Sequence, residues 1–452
     1  MNTYSSYKDS GIEWIGEIPS GWRIEKLKYI GNLYGGLTGK SGKDFNNEDN
    51  PYNKPFIPFT NIFNNVYISS NHFQYVNIKP DERQNRVIKN DLFFLMSSEG
   101  YEDLGKSSIL ISEIDELYLN SFCKGYRVNT DDVNPLFVNY QLLGNTHRKL
   151  ISIEGKGFTR INLRQDKLKN TYMFIPPLQE QQQIVDYLDK KTSKIDKLIE
   201  KTEQKIELLK EQRTSLINTT VTKGLDPNVG MKDSGIEWIG EIPSGWSVKR
   251  LKYTSKILPS NVDKHIFPEE IQVRLCNYTD VYYNELIDEN TQLTKGSCNQ
   301  NEYNKLWLRE GDVIITKDSE TSDDIGIPTE VKENLTDVVC GYHLTLIRPL
   351  DVVGSYIFRF IQSDRIRRYF EINSDGVTRF GLGKPTIQNM YLPIPPLQEQ
   401  QQISDYLDKE TSKIDKLVDI ESKRIILLKE YRQSLISDVV TGKVDVRDEV
   451  LV

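Results

Sequence analysis

Two long stretches of the chain carry the same alternation of apolar and polar positions. In 178–222, Leu188, Ile195, Thr202, Leu209 and Leu216 recur every seven residues, interleaved with Thr192, Ile199, Ile206, Arg213 and Thr220. In 397–441 the same rhythm runs through Leu407, Ile414, Glu421, Leu428 and Leu435, interleaved with Thr411, Val418, Ile425, Arg432 and Val439. Alternating spacings of four and three predict a coiled-coil seam. Pro176-Pro177 and Pro395-Pro396 cannot sit inside a helix, so they mark the two starts. At 1.5 Å per residue each helix is roughly 65 Å long. A seam this narrow on so polar a helix needs a partner, and the other copy in the same chain is the nearest candidate.

The helices are copies in a literal sense. Residues 175–198 and 394–417 differ at only two of 24 positions, Val185 against Ser404 and Lys191 against Glu410, and both open on IPPLQEQQQI. A second repeat precedes each variable segment: KDSGIEWIGEIPSGW occurs at 8–22 and again at 232–246. Repeats of domain-sized period mean a duplicated module. Helices related by an internal twofold run antiparallel. The plan divides the chain into a block at 1–22, a domain at 23–174, a helix at 175–230, a block at 231–246, a domain at 247–393 and a helix with tail at 394–452. Identity of the blocks between diverged neighbours suggests a docking surface that one kind of partner meets twice. The candidates for it are Trp14, Trp22, Trp238 and Trp246, with Gln179, Glu180, Gln398 and Glu399 at the helix entries.

Segments 23–174 and 247–393 each suit one domain. Short alternating runs at 66–68, 109–111 and 271–275 predict strands, and 135–151 and 353–371 predict helices. Three correspondences suggest a shared mixed α+β fold: KNDLFF at 89–94 with REGDVII at 309–315, Cys123 with Cys340, and GFTR at 157–160 with GVTR at 376–379.

Composition narrows the function. The 452 residues are 37% hydrophobic and 27% charged, with no apolar run near 18 residues and no basic-then-apolar leader, which suits a cytoplasmic protein without a membrane span. Four cysteines, none in a CxxC pair, read as reduced thiols. No phosphate loop, HExxH or GxSxG occurs. Asp131, Asp132, Glu154 and Lys156 form a weak metal-nuclease pattern that the second half does not repeat. That leaves binding. In each Gly-x-Thr-Arg loop a guanidinium could read guanine and a hydroxyl could meet phosphate. The candidate DNA contacts are Lys40, Lys43, Lys156, Thr159, Arg160, Arg164, Lys317, Thr378, Arg379 and Lys384. Charge argues the other way: the chain carries a net −7. Segment 23–174 has 20 basic against 17 acidic residues, and 247–393 has 18 against 21.

Two variable domains, each closed by Gly-x-Thr-Arg and then IPPLQEQQQI with a long helix after it, resemble the specificity subunits of type I restriction–modification systems. The KDSGIEWIGEIPSGW block is also similar to that family. The resemblance implies two mixed α/β target recognition domains, separated by two long helices in an antiparallel coiled coil with an internal pseudo-twofold repeat. It implies that each domain reads half of a split double-stranded DNA site, with the helices as a ruler. It also implies a chain without catalytic activity or cofactor of its own. Two methyltransferase subunits, and restriction subunits in the full complex, would bring S-adenosylmethionine, ATP and Mg²⁺. A coiled-coil scaffold without DNA binding and a stand-alone metal-dependent nuclease are the alternatives.

Overall fold

The computed structural model describes residues 2–13, 15–45 and 51–449. Trp14 lies outside them. Two compact units emerge, residues 1–202 with 423–452, and residues 203–422. Each contains one block, one variable domain and a pair of helical segments.

In the first unit, the strand Arg23–Lys26 pairs antiparallel with Tyr172–Ile175. This pairing closes the variable domain onto the point where the long helix begins. Inside it, an antiparallel sheet runs in the order Gly31–Gly35, Cys123–Val128, Leu92–Leu95, Ser107–Ile109. Leu92–Leu95 is buried at every position, so this strand reads as a continuous apolar run. A smaller sheet joins Tyr118–Leu119, Asn53–Ile57 and Gln74–Asn77. The second unit repeats the scheme. Ser247–Arg250 pairs with Tyr391–Ile394. Its main sheet runs Ser255–Pro259, Leu344–Pro349, Val313–Thr316, Pro328–Val331, Leu286–Ile287. Among the described residues no helix is long and apolar enough to cross a membrane.

Three expectations need correction. The run at 66–68 makes only an isolated bridge, Tyr67 to Ile109. The predicted helix at 135–151 is two helices, Pro135–Leu143 and Asn145–Ile153, broken at Gly144, whose extended backbone ends the first. Its counterpart breaks likewise into Gly354–Ile361 and Asp364–Ile372. Finally, Cys123 and Cys340 do not correspond. Cys123 pairs with Leu95, whereas Cys340 ends a strand of the other sheet, opposite Cys276. The true match sets Arg127 against Arg348. Arg127 donates to Asp91 through Nε at 2.8 Å and Nη2 at 2.7 Å. Arg348 donates to Asp312 at 2.9 and 2.7 Å. Both aspartates are buried, and the same fork pins the same strand pair in each domain. Removing the arginine from either pair would leave a buried aspartate without its charged partner.

The long helices are Leu178–Lys223 and Leu397–Val440. In the first unit Ile184, Leu188 and Ile195 share a core with Leu435, Ile436 and Val439. In the second, Ile403 and Leu407 share a core with Ile217 and Val221. The start of one helix thus packs on the end of the other, as antiparallel pairing requires. All ten predicted seam positions on each helix are buried or half-buried. Arg432 donates to Asp196 at 2.8 Å in the first unit, and Arg213 to Asp415 at 2.9 Å in the second. Asp196 and Asp415 are repeat equivalents, as are Arg213 and Arg432. One ion pair is therefore made twice, with the roles of the two helices exchanged.

The last tryptophan of each duplicated block has an internal role. Trp22 is 1% exposed, and its indole N–H donates to Glu180 at 2.8 Å. Trp246 is 2% exposed and donates to Glu399 at 3.0 Å. Each glutamate sits in the first turn of a long helix, where negative charge also suits the helix dipole. Each tryptophan additionally covers a left-handed glycine just past the end of the other helix: Gly442 for Trp22 and Gly224 for Trp246. Trp22, Trp246 and Glu180 are thus interior groups rather than a docking face, and Glu399 is half-buried. Trp238 is half-buried too, tilted against Tyr369 with ring centroids 5.5 Å apart. Gln179 and Gln398 remain exposed.

Trp22→Phe and Trp246→Phe keep the aromatic filling and remove the donor to a carboxylate. Each should lower unfolding free energy by about 1.5–3 kcal/mol, read from denaturant midpoints. Midpoints equal to wild type in both variants would dismiss the tryptophan–glutamate contact as a structural element.

Candidate nucleic-acid interface

The two Gly-x-Thr-Arg segments form the same exposed turn. In the first domain Ile161–Asn162 pairs with Ser97–Ser98, and Lys156 bridges back to Asn162. In the second, Phe380–Gly381 pairs with Asp318–Ser319, and Asp375 bridges to Gly381. Gly157 and Gly376 have φ of 149° and 147°, a region only glycine occupies readily. A Cβ on either would lie 2.0 Å from the carbonyl oxygen of Arg160 or Arg379. The glycine therefore lets the turn fold back on its own arginine. At the tip, Phe158 is fully exposed and Val377 is 92% exposed. Thr159, Arg160, Thr378 and Arg379 are exposed beside them.

The arginines differ in what holds them. The Arg160 guanidinium lies 5.9 Å from the ring centre of Phe122, itself 63% exposed. Arg379 donates to Asp318 at 2.9 Å through Nη2, which lies 3.5 Å from His343 Nδ1. His343 Nδ1 is 2.6 Å from the other oxygen of Asp318. Nearby, burial chiefly pushes up the phenol of Tyr278.

The other candidates scatter. Lys40 is not available to a ligand: its side chain is 4% exposed, paired with Glu82 and donating to the Asn77 carbonyl. The residues on either side of it, Gly39, Ser41 and Gly42, stay exposed. Lys43 is exposed on the short turn Gly42–Asp44. Lys156 is exposed beside the first loop, and Arg164 is exposed but forked onto Asp166. Lys317 adjoins the second loop, donating to the Ser260 carbonyl at 3.0 Å with its ammonium 5.2 Å from the Tyr342 ring centre. Lys384 is exposed at the start of the helix Lys384–Asn389. The acidic pattern considered for metal chemistry is dispersed, with Asp132 paired to Arg23 and Glu154 to Lys167. Phe122, Phe158, Val377, Asp318 and His343 escaped the sequence reading. An apolar residue at the second position of both Gly-x-Thr-Arg loops was the available signal for two of them.

Alanine at Gly157 or Gly376 would force the turn open at a local strain of about 1–3 kcal/mol. Amide exchange at Lys156 and Asn162, or at Asp375 and Gly381, should speed up about tenfold or more, with core amides unchanged. Unaltered protection in the loop would remove the glycine from this role.

Comparison with known proteins gives a consistent answer. The family model for the type I restriction modification DNA specificity domain matches twice, at residues 19–208 and 243–430. A putative type I restriction enzyme specificity subunit, MjaX of Methanocaldococcus jannaschii, is 25% identical over 96% of both chains. The specificity subunit of the type I restriction enzyme EcoKI of Escherichia coli is 23% identical over 86% of this chain and 82% of its own. Among solved structures, one from a study of complex assembly and conformational transition in a type I system matches with a TM-score of 0.69. It is 15% identical and covers 94% of this chain and 99% of that one. The HsdS subunit from Thermoanaerobacter tengcongensis matches at 0.54, with 16% identity over 94% and 98% of the two chains. At those identities the structural likeness speaks to fold alone. The two family matches fall on the two repeats and cover most of the chain, so this protein belongs to the family of type I restriction–modification DNA specificity proteins.

Proposed function

We propose that this chain is the DNA-recognising specificity subunit of a type I restriction–modification complex, in which each repeat reads one half of a bipartite site. The observation that carries this reading is the double family match, one per repeat. The paired Gly-x-Thr-Arg turns support it, because they expose an arginine and a threonine at the same place in both domains. The chain supplies recognition and not catalysis. It works with methyltransferase and restriction subunits, which carry S-adenosylmethionine, ATP and Mg²⁺ to the DNA in the cytoplasm. Their surfaces would also supply phosphate contacts that a chain of net charge −7 lacks.

The recognition domains are 23–174 and 247–393. Support comes from the strand pairs that close each segment at its own ends, 23–26 with 172–175 and 247–250 with 391–394. For the methyltransferase we infer two copies. Outward-facing chemistry is repeated on the helices: Leu178 and Leu397 are 47% and 58% exposed, and Leu208 and Leu427 are 64% and 63% exposed. Gln179 and Gln398 are exposed at matching positions. Identical residues offer a partner identical contacts.

Arg160→Ala and Arg379→Ala should each weaken specific DNA binding by the assembled complex by about 1–3 kcal/mol if the arginine reads a base. The test is titration of duplexes carrying the site found by methylation mapping. Wild-type affinity and base preference in both variants would take the loops out of the DNA site. Light scattering of the chain saturated with methyltransferase should give the mass of a complex with two partner copies. A complex with a single copy at saturation would sink the two-site model.

A further inference from the structure

The two recognition domains share a framework of strands and differ in chemistry at the cluster beside the loop arginine. The Asp91–Arg127 and Asp312–Arg348 forks align the domains at an interval of 221 residues, and strand register agrees. Cys123 faces Leu95 as Leu344 faces Thr316, and Ile161 faces Ser98 as Phe380 faces Ser319. In that frame Phe122 and His343 are the same position, the residue just before a central strand. Ser97 and Asp318 are likewise one position, the first residue of the short strand that carries the loop. In the second domain the loop arginine meets both positions, and in the first it meets the one held by phenylalanine. Arg160 lies over Phe122, and Arg379 is held by Asp318 beside His343. The strand register is shared, and the side chains at these positions are changed.

His343 has a second mark. Its φ is +69°, a left-handed backbone at a residue other than glycine. Strain of this kind persists where the surroundings hold it and clusters at binding sites. Asp318 accepts from Nδ1, and in the neutral ring that leaves Nε2 as a bare acceptor. Phe122, 63% exposed, offers only an apolar edge and a ring face.

The geometry points to positions 122 and 343 as specificity determinants that read the base beside the one met by the loop arginine, with Asp318 positioning His343. This rests on the reading that the Gly-x-Thr-Arg loops lie at DNA. Phe122 suits a thymine, whose methyl group is the apolar feature of the major groove. Nε2 of His343 suits a base presenting an exocyclic amino group, adenine or cytosine. Two side-chain differences on a shared frame thus give the two half-sites different preferences.

The test maps methylation in cells carrying the complete system, with Phe122→His, His343→Asn and Asp318→Asn compared with Arg160→Ala and Arg379→Ala. Asparagine tolerates the left-handed backbone at 343, and the melting temperature of each full-length variant checks its fold. Phe122→His should change base preference about tenfold or more at one position of one half-site. His343→Asn should do so at one position of the other half-site, and Asp318→Asn should shift that same base, which a merely structural role would not do. If 122 and 343 variants keep wild-type preferences while the arginine variants lose theirs, the loops are at DNA and this assignment is overturned. If the arginine variants also keep wild-type preferences, the underlying reading falls with it.

Discussion

Each unit is tied together by an indole that donates to a carboxylate at the entry of a long helix. Trp22 reaches Glu180 and Trp246 reaches Glu399. The contact does three things at once. It satisfies a buried N–H, which would otherwise cost about 1–3 kcal/mol. It seats a negative charge in the first helical turn, where the helix dipole favours it. It also presses the ring over a glycine just past the end of the second helix, Gly442 or Gly224. A side chain at either glycine would meet the ring or the proline beside it. The block, the start of one helix and the end of the other are therefore fixed by one residue.

The recognition domains rest on that anchorage through short antiparallel pairs that bring their two ends to the helix entry. Buried amides finish the joint. Gln181 accepts from the Asn134 N–H at 2.7 Å and donates to the Pro176 carbonyl at 2.8 Å. Gln400 accepts from the Val353 N–H at 2.9 Å and donates to the Pro395 carbonyl at 2.8 Å. These are the same bonds in both repeats, made by the second glutamine of the shared LQEQQQ run. Farther along, the same aspartate serves different neighbours. Asp189 accepts from Tyr67 and Tyr140, whereas Asp408 accepts from Arg359 at 2.7 Å. The first turns are kept alike, and the domains diverge beyond them.

This pattern orders the constraints. Positions that hold the frame are identical or exchange roles symmetrically, as the Arg213–Asp415 and Arg432–Asp196 pairs do. Positions inside the domains keep only the buried Arg–Asp fork and the apolar strands. At the cluster beside each loop arginine, Phe122 and Ser97 occupy in one domain the positions that His343 and Asp318 occupy in the other. Of these side chains Phe122 is 63% exposed, whereas Ser97 is buried and His343 and Asp318 are half-buried.

The helices, their starts and their seam were legible in the sequence because heptad spacing and proline are local signals that need no knowledge of the fold. The repeats were legible for the same reason, and so was the shared Gly-x-Thr-Arg turn. The role of the duplicated tryptophans was not. Identity between copies says that a constraint exists, and only the tertiary structure showed that at Trp22 and Trp246 it is internal, since Glu180 lies 158 residues from Trp22. The match of Cys123 to Cys340 misled because sequence similarity at two cysteines carries no register, whereas hydrogen-bonded strand pairing does. Lys40 looked available because glycines surround it, yet Glu82 draws it inward. Phe122 and Arg160, or Asp318, His343 and Arg379, meet only when distant strands pair. Their cluster belongs to the fold, and no spacing along the chain announces it.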